Sequence, residues 1–194
     1  MKNLILVFIV LFSNLIFSQE KSTKKLESPI DFPILLSGNF GELRSSGFHS
    51  GIDIKTKGKE GIDIRAIDSG YVSRVQVSTS GFGKVVYIDH GNNLTTVYAH
   101  LSRFSEKIEK IINELQYKMK KYEVRKFFRP NELKIGKKEL IGLSGNTGSS
   151  FGPHLHFEIR KTNEELPINP LFYNFDVLDT IRPYLKNLFL DGIK

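Results

Sequence analysis

His154-Leu155-His156-Phe157-Glu158-Ile159 alternates polar and apolar residues without a break. In a strand, alternate residues share a face. Leu155, Phe157 and Ile159 then fill a core, while His154, His156 and Glu158 lie on the opposite side. Two imidazoles on a polar face with a hydrophobic backing are placed for metal binding or acid–base work. The plainer reading is a half-exposed strand with surface histidines, on which Glu158 is solvated at a sheet edge.

The same strand character extends outward. Gly70–Val77, Lys84–Asp89, Leu94–His100 and Leu140–Leu143 are rich in Val, Ile, Tyr and Leu and are bounded by Gly, Asn and Ser turns. Gly81-Phe82-Gly83 and His90-Gly91-Asn92-Asn93 read as hairpin turns. The expectation is a mainly β protein with an antiparallel sheet core. One segment breaks the pattern: Ile108, Ile111, Ile112, Leu115, Met119 and Tyr122 recur at helical spacing. They predict an amphipathic helix over about 105–122, started by Ser102 or Ser105 and inserted between strand groups. Its apolar stripe packs on the sheet; a wall of a substrate groove is the functional alternative.

Composition bounds the chemistry. The 194 residues include five histidines and no cysteine. Disulfides, cysteine zinc sites, iron–sulfur clusters and thiol nucleophiles are therefore excluded. At 40% hydrophobic and 25% charged the chain is globular in type. The net charge of +7 suits an anionic partner without selecting one. Residues 1–18, with Lys2 ahead of an apolar run from Leu4 to Leu11, read as a signal peptide cleaved after Ser18. Cleavage removes one lysine and no acid, leaving +6. No later stretch is long enough to cross a bilayer. The expected destination is outside the cytoplasm: the periplasm or cell envelope, or the extracellular space.

A second histidine motif is His49-Ser50-Gly51-Ile52-Asp53-Ile54. His49 and Asp53 are four apart, so a strand presents both on one face. Gly51 leaves room between them. Neutral imidazole and carboxylate are both good zinc ligands. His49, Asp53 and one of His154 and His156 make three protein ligands with a fourth position open, as in catalytic zinc sites. His100 ends Val97-Tyr98-Ala99-His100 and is a candidate neighbour of that site, whereas His90 reads as a turn residue. Gly145-Asn146-Thr147-Gly148-Ser149-Ser150-Phe151-Gly152-Pro153 is a flexible loop running into His154, with amides and hydroxyls available to a peptide. It lacks the Gly-Lys-Ser/Thr ending of a phosphate loop.

Taken together and in order, these motifs resemble the M23 family of zinc metallopeptidases, the lysostaphin/LytM-type peptidoglycan endopeptidases. HxxxD stands as His49 and Asp53, Tyr-Ala-His-Leu as residues 98–101, and HxH as His154 and His156. Ser144-Gly145-Asn146-Thr147-Gly148, then Gly152-Pro153-His154, resembles the signature stretch. Phe40-Gly41-Glu42-Leu43-Arg44 resembles the lead-in to the first ligand. The likeness covers roughly residues 35–160. It implies an antiparallel β core of the LytM type and one Zn2+ per chain on His49, Asp53 and His156, with His100 and His154 as catalytic histidines. It also implies peptidoglycan as substrate, cut in its stem peptides or cross-links.

Arg44, Asn146, Thr147, Ser149 and Phe151 are candidate substrate contacts, and Glu158 a candidate for orienting a ligand histidine. Phe151 stands where family members usually carry a small residue. The expected organisation is a signal at 1–18, a polar lead-in at 19–29, the peptidase domain at 30–175 and a tail at 176–194. The helical insertion would occupy about 102–130. The rival class is a catalytically silent, wall-binding or hydrolase-activating module; a regulatory protein that moves the insertion or tail off the groove is a further candidate partner. A nucleic-acid partner would rest on charge alone, and the signal peptide and the lack of an array of basic motifs argue against it.

Overall fold

Runs of Val, Ile, Tyr and Phe form strands because branched and aromatic side chains pack well on a pleated surface. The computed structural model describes residues 26–179 except Ser46. The signal segment and residues 180–194 of the expected tail lie outside the described residues. In chain order the strands are β1 (Leu36–Gly38), β2 (Leu43–Arg44), β3 (Gly47–Phe48), β4 (Ile52–Lys55), β5 (Asp63–Arg65), β6 (Gly70–Val77), β7 (Lys84–Asp89), β8 (Leu94–Leu101) and β9 (Arg103–Phe104). After helix α1 (Glu106–Met119) come β10 (Val124–Phe127), β11 (Lys134–Ile135), β12 (Leu140–Leu143), β13 (His154–Lys161) and β14 (Leu166–Ile168).

The main sheet has the order β1-β4-β13-β8-β7-β6-β10, with β14 on β13 and β11 on β6. A three-stranded sheet β5-β12-β9 and the β2-β3 hairpin complete it, and every strand pair is antiparallel. This is the expected mainly β architecture. β13 lies between β4 and β8, and the register sets His156 opposite both Asp53 and Ala99.

Leu155, Phe157 and Ile159 join Ile52, Ile54, Tyr98 and Leu101 in one core, all fully buried. Burying each such side chain stabilises the fold by about 1.5–3 kcal/mol. A smaller cluster of Val85, Tyr87, Val97 and Ala99 packs separately, with Phe82 against it. All eight residues of β8 are buried, and β13 is buried on both faces from Leu155 to Ile159. The half-exposed strand anticipated at 154–159 is therefore a central one.

The helix differs from its expected form in detail. The helix ends at Met119, where Lys120 turns left-handed at φ 51°, and Tyr122 lies exposed beyond it. Of the apolar stripe only Ile108 and Ile112 are buried, in the same core as Val124 and Phe128. Ser105 is the N-cap residue, yet its hydroxyl makes no capping bond, while the Ser102 hydroxyl donates to the Ser144 carbonyl at 2.7 Å. The 19–29 segment is described only from Leu26, whose side chain belongs to the core, as does that of Ile30 at the expected start of the domain. From the tail, Val177 bridges Ile34 and the Leu178 N–H donates to the Ile34 carbonyl at 2.8 Å.

The 145–153 loop is anchored rather than flexible. Ser149 N–H donates to the Gly81 carbonyl at 2.8 Å, and Gly81 N–H to the Ser149 hydroxyl at 2.9 Å. Thr147 Oγ1 accepts from Lys84 N–H and donates to the Leu101 carbonyl. Gly83 and Gly148 both have positive φ, and a Cβ on Gly148 would sit 2.3 Å from the Gly81 carbonyl oxygen. Only glycine permits that backbone-to-backbone contact.

Candidate metal centre

Two adjacent strands bring the first three side chains together. Asp53 on β4 faces His156 on β13 across the ladder, and His49 reaches them from the segment leading into β4. Gly51 makes this approach possible, since a Cβ there would meet the Phe157 carbonyl oxygen at 2.3 Å. His49 Nε2, Asp53 Oδ1 and His156 Nδ1 form a triangle with edges of 3.0, 3.0 and 3.2 Å, and all three residues are buried.

Hydrogen bonding fixes which ring nitrogens are free. His49 Nδ1 donates to the Asn39 carbonyl at 2.7 Å and His156 Nε2 to Glu158 at 2.8 Å. His154 Nδ1 donates to the Gly152 carbonyl and His100 Nδ1 to the Thr147 carbonyl, both at 2.8 Å. Each neutral ring then keeps one unprotonated nitrogen. In neutral rings His49 Nε2 and His156 Nδ1 carry the lone pairs, facing one another and a carboxylate oxygen, an arrangement that a bound cation satisfies. A tetrahedral ion with bonds of about 2.0 Å holds its ligand atoms about 3.3 Å apart, close to the observed edges. Three protein ligands and no cysteine fit Zn2+ and leave a coordination position open.

His100 and His154 flank this trio. His154 Nε2 lies 3.5 Å from Asp53 Oδ1, and the His100 ring centroid lies 4.8 Å from that of His154 and 5.8 Å from that of His156. His100 gets there through a bulge: Lys84 and Val86, two apart on β7, face Leu101 and Tyr98, three apart on β8. His100 takes the extra place at φ 59°. Strict alternation from Tyr98 would have put its ring on the core face.

The electrostatics follow from burial and partners. Burial opposes the Asp53 charge, but the surrounding imidazoles and the Arg44 guanidinium outweigh it and hold the carboxyl well below the usual carboxylate range. Arg44 meets Asp53 Oδ2 at 2.6 Å, leaving Oδ1 to face the histidines. Burial lowers the His100 pKa to about 4, with the neighbouring imidazoles adding to the effect and the Thr147 bond opposing it. For His156, burial pulls the pKa down, but Asp53 and Glu158 leave it raised. Glu158 is fully buried; burial raises its pKa, and His156 and Arg160 bring it down to about 2.

Asp53, His100 and His154 line a cleft of about 1090 Å³, together with Arg44, Lys55, Lys57, Ser149 and Phe151. Phe151 is fully exposed at its rim. Asn146 and Thr147 do not line the cleft: Asn146 Oδ1 is buried without a partner, and the Thr147 side chain ties loops together. His90 bonds the Ser69 carbonyl and Thr96, away from the trio. Phe82, read only as part of a turn, stacks on His156 at 5.0 Å. Its sole sequence signal was an aromatic between two glycines. The Asn39 and Thr147 carbonyls left no signal, because backbone acceptors carry no residue signature.

A buried trio of two imidazoles and a carboxylate under an open cleft, on an antiparallel sheet, defines the class of metallopeptidase-like β proteins. Comparison with known proteins agrees: the model of Peptidase family M23 matches residues 47–170, and the chain belongs to that family. The DD-carboxypeptidase/endopeptidase Mpg of Neisseria meningitidis is 32% identical over 129 residues, covering 66% of this chain and 23% of that protein. The murein hydrolase activator NlpD of Salmonella typhimurium is 32% identical over 135 residues, covering 70% of this chain and 28% of that protein. The chain thus spans about a quarter of the length of these curated relatives. Among solved structures, a variant catalytic domain of the prophage-encoded M23 protein EnpA from Enterococcus faecalis aligns with a TM-score of 0.55 at 26% identity. That alignment covers 76% of this chain and 97% of the other.

Proposed function

We propose that this protein is an exported zinc endopeptidase that hydrolyses peptide bonds in peptidoglycan stem peptides or cross-links. The observation that carries the reading is the convergence of His49 Nε2, His156 Nδ1 and Asp53 Oδ1 beneath the cleft. These three atoms would hold Zn2+, which supplies Lewis acidity to polarise a carbonyl and make water nucleophilic at neutral pH. Asp53 is kept ionised and oriented by Arg44. His100 and His154, each held by a backbone carbonyl, divide the proton work: one accepts the proton of the attacking water and delivers it to the leaving amine. The other takes up a proton from solvent, donates it as a hydrogen bond to the developing oxyanion and returns it to solvent on product release. The lining of the cleft, with Lys55 and Lys57 as well as Ser149 and Phe151, suits an extended peptide bearing carboxylates.

The second reading, a silent domain that binds wall or activates another hydrolase through a protein partner, is favoured by the likeness to the activator NlpD. Against it, all five positions of the expected constellation are filled by the residues the chemistry needs. Purified protein tested on isolated sacculi separates the two. Bound zinc with release of new amines and muropeptides supports the enzyme, with His156→Ala losing both metal and activity. Bound zinc with no cleavage of any wall type supports the silent module.

A further inference from the structure

Two residues beyond His156, β13 carries a carboxylate that the proposed reaction leaves unused. Glu158 is fully buried, and a carboxylate in such a place persists only when paired. Its Oε1 accepts from His156 Nε2 at 2.8 Å and from the Ser50 hydroxyl. Its Oε2 accepts from Arg160 Nε. Arg160 reaches Glu165 at 3.3 Å, and Arg74 binds the same carboxylate at 3.3 Å, carrying the network outward to an exposed acid. Ser50 gets close because its neighbour is Gly51, where a Cβ would meet Glu158 Cγ at 2.8 Å. Glu158 does not line the cleft, so it acts only through His156.

We propose that Glu158 is the positioning residue that selects Nδ1 of His156 as the metal-binding nitrogen, with Ser50 and Arg160 fixing Glu158 itself. An imidazole offers either nitrogen, and the group bonded to one decides which remains free. The carboxylate holds the proton on Nε2 and leaves Nδ1 facing His49 Nε2 and Asp53 Oδ1. His49 solves the same problem the other way round, donating Nδ1–H to the Asn39 carbonyl and freeing Nε2. This inference rests on the zinc reading above.

Glu158→Gln inverts the bond. Arg160 claims the amide oxygen, so the amide N–H2 faces His156, Nε2 becomes an acceptor and the proton moves to Nδ1. Two readouts test this: Zn2+ affinity by chelator competition, and the nitrogen shifts of the His156 ring in 15N spectra of zinc-loaded protein. Glu158→Gln should weaken Zn2+ binding by about 10- to 100-fold and abolish the single pattern of metal on Nδ1 and proton on Nε2. Should that variant not fold, Glu158→Met with Arg160→Met removes both buried charges together and should give the same loss. A folded variant that binds Zn2+ as tightly as wild type with an unchanged nitrogen pattern overturns the inference, even where its melting temperature falls. Wild-type protein that binds no Zn2+ overturns the zinc reading, and this inference with it.

Discussion

His100 sits at φ 59° in a strand bulge, a conformation that costs most residues other than glycine and asparagine. The cost places its ring beside His154, and its bond to the Thr147 carbonyl fixes the tautomer. His100→Ala should keep zinc and lower kcat by about 10²- to 10⁴-fold, read by metal content alongside muropeptide release. The ring also leaves a signature in stability. Its folded pKa of about 4 lies below the ordinary 6.5, so the unfolded chain binds the extra proton between those values. The His100 contribution is present above pH 6.5 and lost as pH falls towards 4, by up to about 3 kcal/mol in metal-free protein. His156 works oppositely: its raised pKa gives stability that is complete below 6.5 and lost as pH rises through the folded value, outside that window. Glu158 loses its contribution lower still, from 4.5 down through about 2. Denaturant titrations at successive pH values should therefore show a decline from pH 6.5 to 4 that His100→Gln flattens.

At the scale of elements, β13 was legible because its alternation is strict and its apolar half is continuous. The turns at 81–83 and 90–93 were legible through glycine and asparagine, and the helix through its spacing. What local pattern does not carry is the neighbour: Glu158 reads as a solvated edge residue until β4 and β8 are known to cover both sides of its strand. The β8 bulge was equally hidden, because an extra residue opposite β7 is a property of the pair. The helix overran in the reading because Met119 and Tyr122 keep helical spacing although the chain has already turned at Lys120. Gly51→Ala tests the close approach of the β4 lead-in to β13. The added Cβ meets main chain, not a movable side chain, so the variant should lose about 1–3 kcal/mol in chemical denaturation and bind zinc more weakly.

On the scale of the whole molecule, the metal-site trio joins residues more than a hundred positions apart, Asp53 with His156 and His49 with His156. Residue types and spacing marked His49, Asp53 and one of His154 and His156 as candidate ligands; the family resemblance singled out His156, and their assembly depends on a sheet order that no local run contained. The net charge of +7 belongs to this scale too. Peptidoglycan carries free carboxylates, so adsorption to purified sacculi should weaken several-fold between 0.05 and 0.3 M salt, roughly as the Debye length shortens. Pull-down of His100→Ala protein, in which digestion should be slowed, with sacculi measures this.

The central claim is that His49, Asp53 and His156 hold one catalytic zinc. X-ray absorption at the zinc edge of loaded protein tests it most directly. The predicted spectrum has two imidazoles and a carboxylate at about 2.0–2.1 Å with one further light ligand, and in His156→Ala this pattern is lost. A first shell without imidazole scattering, or a spectrum unchanged by His156→Ala, would contradict the account.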